Sequence, residues 1–230
     1  MLSLFDKKVR RFLAGIFQGR FPGLYSTLDD PQEVPVQVAA YRLAIDKYIH
    51  PGNRVLDVGV GLGHGMVMMA EKAEQLIGID IDRRAVSRAE KLVEDVPQIV
   101  AVKHYDGRLI PYEDNSFDVV TCVDVLEHVP DYGTFLKEMI RVSSRVVFVS
   151  TPNRRPEYTR SDGRPKNRWH LREWSFQELD AILHDVHNGR VDWNFLDGQW
   201  DEPFECGYAV SEDTMALAPA LMLDPSPTLN

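Results

Sequence analysis

The stretch RVLDVGVGLGHG at residues 54–65 decides the fold of this chain. Its first half is a short apolar run, which is typical of a strand buried on both faces of a parallel sheet. Its second half has glycine at every second position, and glycine lets the backbone turn tightly and approach a ligand closely. The stretch therefore predicts a strand, a ligand-binding turn and the start of a helix in immediate succession.

The spacing of these glycines bears on the kind of ligand. The dinucleotide fingerprint G-x-G-x-x-G/A requires a small residue at its sixth position. Counted from Gly59 that position is His64, and counted from Gly61 it is Met66. The loop therefore does not fit a dinucleotide site, although a glycine loop alone is also compatible with a purely structural turn.

Apolar segments alternate with amphipathic segments along the centre of the chain. Strands are predicted at residues 54–60, 75–80, 99–105, 117–123 and 145–151, and helices at 35–49, 63–73, 83–95, 132–142 and 175–186. The last helix begins with S-F-Q-E, a capping box, and segments 191–196 and 206–210 could add a hairpin. The alternation predicts a parallel sheet covered by helices on both faces. Functional residues are then expected directly after the strands, where such sheets bind ligands.

The two ends of the chain differ from this central part. Residues 1–20 place apolar side chains at three- and four-residue steps beside five basic residues, which predicts an amphipathic helix. That helix could pack on its own domain or make a peripheral contact with a membrane surface. We expect a helical lid at residues 1–50, a main domain at 51–211 and an irregular tail at 212–230.

The composition is that of an ordinary globular protein. The 230 residues are 44% hydrophobic and 27% charged, which excludes global disorder. The longest stretch without acidic, Lys or Arg residues runs from Val58 to Ala70, so no integral membrane segment of roughly 20 apolar residues is expected. Two cysteines cannot form a disulfide framework, and a reducing, cytoplasmic location is expected.

The net charge of −9 is unevenly distributed. Residues 191–230 contain no Lys or Arg, whereas the segment 151–174, which we name the basic loop, contains seven. Such a chain is not a general nucleic-acid binder, but it can recognise one anionic ligand. Because the basic loop follows the fifth strand, we expect it to border the ligand site, with Arg154, Arg155 and Arg168 as candidate anion contacts.

Two acidic residues follow the second and third strands. Asp80 ends the second strand about 20 residues past the glycine loop, where a carboxylate can accept hydrogen bonds from ribose hydroxyls. Asp106 follows the third strand in the segment Y-D-G-R, although an aspartate before glycine is also an ordinary turn residue. These positions support a nucleoside ligand without choosing its kind.

Two motifs resemble one family. D-x-G-x-G-x-G at 57–63 resembles the first motif of class I S-adenosylmethionine (SAM)-dependent methyltransferases, and IPYEDNSFDVVTCVDVLEHVP at 110–130 is similar to a run in small-molecule, quinone and glycan methyltransferases. The resemblance covers about residues 54–151, and Val60 departs from it where many relatives carry Cys or Ala. It implies an α/β, Rossmann-like class I methyltransferase fold, with a seven-stranded, mainly parallel sheet flanked by helices and an N-terminal helical lid.

The resemblance also implies SAM as cofactor and a set of residues that bind it. In similar enzymes an aspartate after the third strand receives the adenine amino group, and that role would fall on Asp106. The cofactor-binding residues expected in this way are Asp57, Gly59, Gly61, Gly63, Asp80, Ile81, Asp106, Gly107 and Val123.

Methyl transfer from a sulfonium is an in-line displacement at a carbon that is already activated. The protein must mainly align the reactants and exclude water, and a general base helps when the acceptor is a hydroxyl. The resemblance implies an enzyme that methylates an oxygen of a small molecule or glycan, which the basic loop allows to be anionic. His128, just past the fourth strand, is the leading candidate base, followed by Asp124 and His170.

The pattern Asp124-x-x-Glu127-His128, joined by His170, also suggests a divalent metal site. It is similar to E-x-x-E-H in ubiquinone-pathway O-methyltransferases and in small-RNA 3′-terminal 2′-O-methyltransferases. Two departures argue against the metal, because Asp124 replaces the first glutamate and the second histidine usual beside His170 is missing. We therefore expect no catalytic metal.

Two alternatives stay open at this point. One is RNA 2′-O-methylation with a divalent metal, and the other is a SAM-binding subunit that has lost its chemistry, since an intact cofactor site does not prove turnover. Lids and loops build the acceptor pockets of such proteins, so the sequence names neither the acceptor nor the oligomeric state.

Overall fold

The computed structural model describes residues 34–187, 191, 193–196 and 208–211. The amphipathic helix predicted at 1–20 and the tail predicted at 212–230 lie outside the described residues. Of the predicted lid at 1–50, helix α1 (Val34–Lys47) is described, and it ends before Pro51. No helix in the described part of the chain is both long and apolar enough to cross a membrane.

Strands and helices alternate after α1. The strands are β1 (Arg54–Val58), β2 (Gln75–Asp80), β3 (Ile99–His104), β4 (Phe117–Val123), β5 (Ser143–Pro152), β6 (Trp193–Leu196) and β7 (Tyr208–Ser211). The remaining helices are α2 (His64–Met69), α3 (Arg83–Val93), α4 (Tyr132–Val142) and α5 (Phe176–Val186), with single 3₁₀ turns at Leu126–His128 and Pro156–Tyr158. The alternation predicted from the apolar periodicity is confirmed.

The sheet has seven strands in the order β3-β2-β1-β4-β5-β7-β6. The first five are parallel, while β7 runs antiparallel to β5 and to β6. The predicted seven-stranded, mainly parallel sheet is therefore confirmed as five parallel strands extended by an antiparallel pair. Its order reverses at β1, which has β2 on one side and β4 on the other.

Several elements are shorter than predicted, and β1 and α2 show the local reasons. β1 ends at Val58 because Gly59, at φ +83°, turns the chain out of the extended conformation. Helix α2 begins only after Gly63, which is left-handed at φ +86°. It ends at Met69, after which the chain tightens into three-residue turns, as in the 3.1 Å bond from the Lys72 amide to the Met69 carbonyl.

Apolar side chains fill a layer on each face of the sheet. Within β1, Val55 belongs to one layer, whereas Leu56 and Val58 belong to the other, and all three are inaccessible to solvent. Phe148 of β5 lies in the first layer and Leu136 of α4 in the second. Burial on both faces explains why the strands read as continuous apolar runs in the sequence.

The predicted capping box of α5 is confirmed. The Ser175 hydroxyl accepts the Glu178 amide at 3.3 Å, and Glu178 Oε2 accepts the Ser175 amide at 2.9 Å. This reciprocal pair satisfies two amides that have no partner inside the helix.

Removal of this cap provides a test of the helix boundary. Ser175→Ala is expected to lower the free energy of unfolding by about 1 kcal/mol, because the first turn of α5 loses its acceptor. Urea titration would measure the change, with Ser161→Ala, an exposed loop serine, as the matched control. Equal stability of the two variants would contradict the assignment of Ser175 as the helix cap.

Candidate active site

A cavity of about 490 Å³ lies at the carboxyl ends of β1, β2 and β4. Its wall comes from the glycine loop, from residues that follow the strands, from α1 and from Trp169 of the basic loop. This is the topological switch point of the sheet, where neighbouring strands connect in opposite directions and α/β proteins bind their ligands. The volume is ordinary for a small-molecule site.

The glycine loop needs glycine for two different reasons. Gly59 and Gly61 both have positive φ, at +83° and +52°. A Cβ on Gly59 would lie 2.4 Å from Val125 Cγ2, whereas a Cβ on Gly61 would meet nothing within 4 Å. Gly59 is therefore required for close packing against the residue that follows β4, and Gly61 only for the turn of the backbone.

Asp80 ties the end of β2 to the glycine loop. Its Oδ2 accepts the Gly61 amide at 2.9 Å, and its Oδ1 accepts the Asp82 amide at 2.8 Å. Burial raises the pKa of this carboxyl. The carboxylate still lines the cavity, and since each oxygen can accept more than one hydrogen bond, it can also receive hydroxyls of a ligand.

Asp57 lies beneath the glycine loop and outside the cavity wall. Its side chain is fully buried, and it accepts the Thr121 hydroxyl at 2.7 Å and the Tyr41 hydroxyl at 3.4 Å. Burial raises the pKa of Asp57 to about 7, although the hydrogen bonds act in the opposite direction. These contacts link β1 to β4 and to α1, so Asp57 supports the loop from below.

His128 follows β4 in the first 3₁₀ turn and faces the cavity. Its Nδ1 lies 2.9 Å from the Trp169 carbonyl, and since a carbonyl can only accept, Nδ1 carries the proton. In the neutral ring the lone pair is then on Nε2. Burial lowers the pKa of His128, which favours this neutral form.

His170 lies behind His128 and does not line the cavity. The two ring centroids are 5.0 Å apart. His170 Nδ1 donates to Glu173 Oε1 at 2.7 Å, and Nε2 lies 3.0 Å from Asn167 Nδ2. Because Asn167 Oδ1 accepts the Trp169 amide, its NH₂ group points at His170, and both nitrogens of that ring are engaged.

Three side chains form a cluster of donor atoms beside the cavity. The ligating atoms of Glu127, His128 and His170 all lie within 4.8 Å of one another. Glu127 Oε2 accepts the Thr151 hydroxyl at 2.9 Å, and Oε1 lies 3.8 Å from His128 Nε2. Asp124 is not a member of this cluster, contrary to the four-residue pattern suggested by the sequence.

Asp124 instead lies in the cavity wall directly after β4. It has φ +53°, and its Oδ1 accepts the Ser150 hydroxyl at 2.8 Å. Burial raises the pKa of this carboxyl well above its usual range, while the Ser150 and Gln37 side chains favour the ionised form.

The structure brings most, but not all, of the sequence-predicted site residues together. Those that line the cavity are Gly59, Gly61, Asp80, Ile81, Gly107, Val123, Asp124 and His128. Those that do not are Asp57, Gly63, Asp106 and His170. Asp106 accepts its own turn amide from Arg108 at 3.0 Å and faces a separate open groove of about 990 Å³.

Sequence reasoning missed several residues of the wall. Gln37 and Tyr41 reach it from α1, His64 from α2 and Trp169 from the basic loop. One signal for Tyr41 was present in the sequence, because a Cβ on Gly65 would lie 2.1 Å from Tyr41 Cζ. A glycine inside a buried helix indicates a close neighbour, but it does not say which one.

The charge of the wall restricts the ligand. Three carboxylates, Asp80, Asp82 and Asp124, line the cavity, and no Lys or Arg is among the described residues that do so. Burial lowers the pKa of His64 to about 4, so this ring adds no positive charge near neutral pH. The cavity is complementary to a cation and repels a pyrophosphate, in agreement with the glycine spacing.

Comparison with known sequences agrees with this geometry. Residues 56–146 match the family model described as a methyltransferase domain. A probable S-adenosylmethionine-dependent methyltransferase of Mycolicibacterium smegmatis is 36% identical over 155 residues, which cover 66% of this chain and 55% of the relative. A ubiquinone biosynthesis O-methyltransferase of Hahella chejuensis is 38% identical over 112 residues, 46% of each chain. The chain spans about half the length of these curated relatives.

Solved structures share the fold. A SAM-dependent methyltransferase from Aquifex aeolicus matches with a TM-score of 0.61 and 20% identity, covering 80% of this chain and 94% of that chain. The [4+2]-cyclase SpnF matches with a TM-score of 0.58 and 23% identity, covering 69% of this chain and 60% of that chain. The second likeness shows that the fold alone does not determine the reaction.

The matched family model, the sheet order and the cavity at its switch point agree with one another. Residues 56–146 are similar to a methyltransferase domain, and the sheet has the fold of class I SAM-dependent methyltransferases. SAM is the cofactor of that class, and methyl transfer is its chemistry.

Two alanine substitutions test the roles of the loop glycines. Gly61→Ala adds only an unfavourable φ and is expected to lower the free energy of unfolding by about 1 kcal/mol. Gly59→Ala adds a clash with Val125 and is expected to cost about 3 kcal/mol. Urea titrations without ligand would measure both, each variant serving as control for the other. Equal losses would contradict a packing role for Gly59.

Proposed function

We propose that the chain transfers the methyl group of SAM to a hydroxyl oxygen of a small-molecule or glycan acceptor. The observation that carries the proposal is His128, which lines a carboxylate-lined cavity beside the glycine loop and whose Nδ1 is held by the Trp169 carbonyl, so that the lone pair is on Nε2. When bound, SAM supplies a methyl group activated by a positive sulfur. The ubiquinone biosynthesis O-methyltransferase among the relatives supports oxygen as the acceptor atom.

Residues at the strand ends would hold the cofactor. The glycine loop offers close backbone approach, and Asp80 offers carboxylate oxygens to ribose hydroxyls. Ile81 and Gly107 are in contact distance of each other, since a Cβ on Gly107 would lie 3.1 Å from Ile81 Cγ2, and they form an apolar edge of the cavity suited to the adenine ring. We assign the adenine amino group to Asp106, which directly precedes Gly107 in the chain but does not itself line the cavity.

His128 would act as general base. Its Nε2 takes the proton of the acceptor hydroxyl as the oxygen attacks, and the Trp169 carbonyl keeps the ring in the required tautomer. Gln37 and Tyr41 of α1 contribute to the cavity wall and would help to exclude water. This contribution supports a lid role for residues 1–50, around a methyltransferase domain at 51–211 and a tail at 212–230.

The acceptor would enter beside the basic loop. Arg154 and Arg155 pair with carboxylates of α5 and of the loop itself. The Arg168 guanidinium lies 4.6 Å from the centre of the ring of Trp169, a residue that lines the cavity. Arg168 is therefore the residue proposed to meet an anionic acceptor. A cytoplasmic location rests on the cysteine count and the composition.

A base substitution tests the proposed function. His128→Gln is expected to lower kcat by about 10²-fold or more, because the proton acceptor is lost, while the Kd of SAM stays within about twofold. Turnover would be measured with quinols, sugars and RNA ends as acceptors, and SAM affinity by calorimetry. His184→Gln, an exposed histidine on α5, is the matched control.

The outcomes separate the alternatives. Wild-type turnover in His128→Gln would refute the base. SAM binding with no turnover on any acceptor would indicate the non-catalytic SAM-binding subunit, and turnover confined to RNA ends would favour the RNA alternative.

A second candidate function, metal-assisted 2′-O-methylation of RNA, is favoured by the Glu127–His128–His170 cluster. One carboxylate and two imidazoles suit a divalent ion, and both rings have their Nδ1 atoms held by oxygen partners, as metal-ligating histidines usually do. An ion there would lend Lewis acidity to an acceptor hydroxyl. Against it, His170 Nε2 already has the Asn167 amide as partner.

Chelation decides between the two candidates. Because we expect no catalytic metal, EDTA should leave turnover unchanged, and calorimetry with Mn²⁺ should detect no specific site. A loss of turnover that Mn²⁺ restores, with Mn²⁺ binding lost in Glu127→Gln but kept in the exposed control Glu90→Gln, would establish the second candidate instead.

A further inference from the structure

Asp124 differs from the other two carboxylates of the cavity wall. Asp80 accepts two backbone amides, and Asp82 caps α3 by accepting the Arg84 amide at 2.8 Å. Asp124 has one close partner, the Ser150 hydroxyl on Oδ1. Its Oδ2 is buried without a well-formed hydrogen bond to the described residues, although the Gln37 side chain is near enough to favour the charged form. The hydrogen bonds of the surrounding residues therefore do not explain why a carboxylate stands at this position.

The backbone of Asp124 is held in an unfavourable conformation. It is one of two non-glycine residues with positive φ in the described part of the chain, the other being Asn115. The Asp124 amide donates to the Ser150 carbonyl at 3.0 Å, and Val125 is packed against Gly59. Such conformations persist where the surroundings enforce them, and they are common at functional sites.

The location of Asp124 indicates the effect of its unfavourable backbone conformation. The turn places the carboxylate at the end of β4, beside the glycine loop at the switch point of the sheet. No Lys or Arg lines the cavity among the described residues. The His170 ring is an electrostatic partner that favours the ionised form of Asp124. A buried carboxylate without a permanently charged partner is still costly, and a cationic ligand that enters the cavity provides such a partner.

We infer that Asp124 faces the sulfonium of bound SAM and so distinguishes the charged donor from its neutral product. The inference rests on the proposed use of SAM in this cavity. After transfer the sulfur is an uncharged thioether, so the attraction to Asp124 disappears and the product S-adenosylhomocysteine is released more readily. Charge pairs act strongly at such a site because surrounding water is excluded.

Calorimetry with three ligands tests the inference. SAM carries a positive sulfur, and sinefungin carries an ammonium group on the carbon that replaces the sulfur, whereas S-adenosylhomocysteine has no positive charge in this region. Asp124→Asn is expected to raise the Kd of SAM and of sinefungin by about tenfold or more, as for loss of a buried ion pair. The Kd of S-adenosylhomocysteine should stay within about twofold. Asp82→Asn, which keeps a helix cap, is the matched control and should change all three Kd values by a similar factor.

A second variant protects the test against misfolding. Asp124→Gly also removes the charge, and glycine accepts the positive φ without strain, so it is expected to fold and to show the same selective loss. Equal weakening of all three ligands would mean that Asp124 contacts a part they share, and would overturn the inference, as would unchanged affinities. If the wild-type chain bound none of the ligands, the proposed function itself would fail, which is a distinguishable result.

Discussion

The place of β1 between two strands that connect in opposite directions is the constraint on which the site depends. This order leaves a gap where the strands end, and the glycine loop turns into it. Asp80 enters from β2 and Asp124 from β4. The negative charge of the cavity is thus a consequence of strand order. Asp80 and Asp124 are distant in the sequence, but their strands lie on either side of β1, so both carboxylates reach the cavity at its carboxyl end. Gly59 makes the arrangement compact, because any side chain at that position would collide with Val125.

Local patterns in the sequence were sufficient for much of the fold. The strand-turn-helix at residues 54–65, the acidic end of β2 and the capping box of α5 each depend on neighbours within a few residues, and residue type and spacing record them directly. The antiparallel pair at the end of the sheet also follows from its two short apolar segments. The boundary of α2 was less predictable, because the turn that follows Met69 continues the apolar pattern in a different geometry.

Contacts between distant segments escaped prediction. Tyr41 forms part of the wall because α1 packs on α2, and no spacing rule links residues that belong to separate elements. The sequence predicted His170 as a candidate general base. In the structure, Glu173 and Asn167 engage both ring nitrogens and hold the ring outside the cavity. His128 is held by a backbone carbonyl 41 residues away in the sequence. Every residue type has such a carbonyl, so the residue types do not reveal this contact.

That carbonyl has a consequence for how this protein could diversify. Trp169 contributes its side chain to the wall that an incoming molecule would meet and its backbone to the tautomer of His128. Insertions or deletions in this part of the chain, the usual route by which such folds acquire new preferences, would disturb both at once. A chimera that carries the corresponding segment of another protein would acquire the selectivity of that segment only under one condition. The new segment must also place a hydrogen-bond acceptor against His128 Nδ1, where the Trp169 carbonyl now lies.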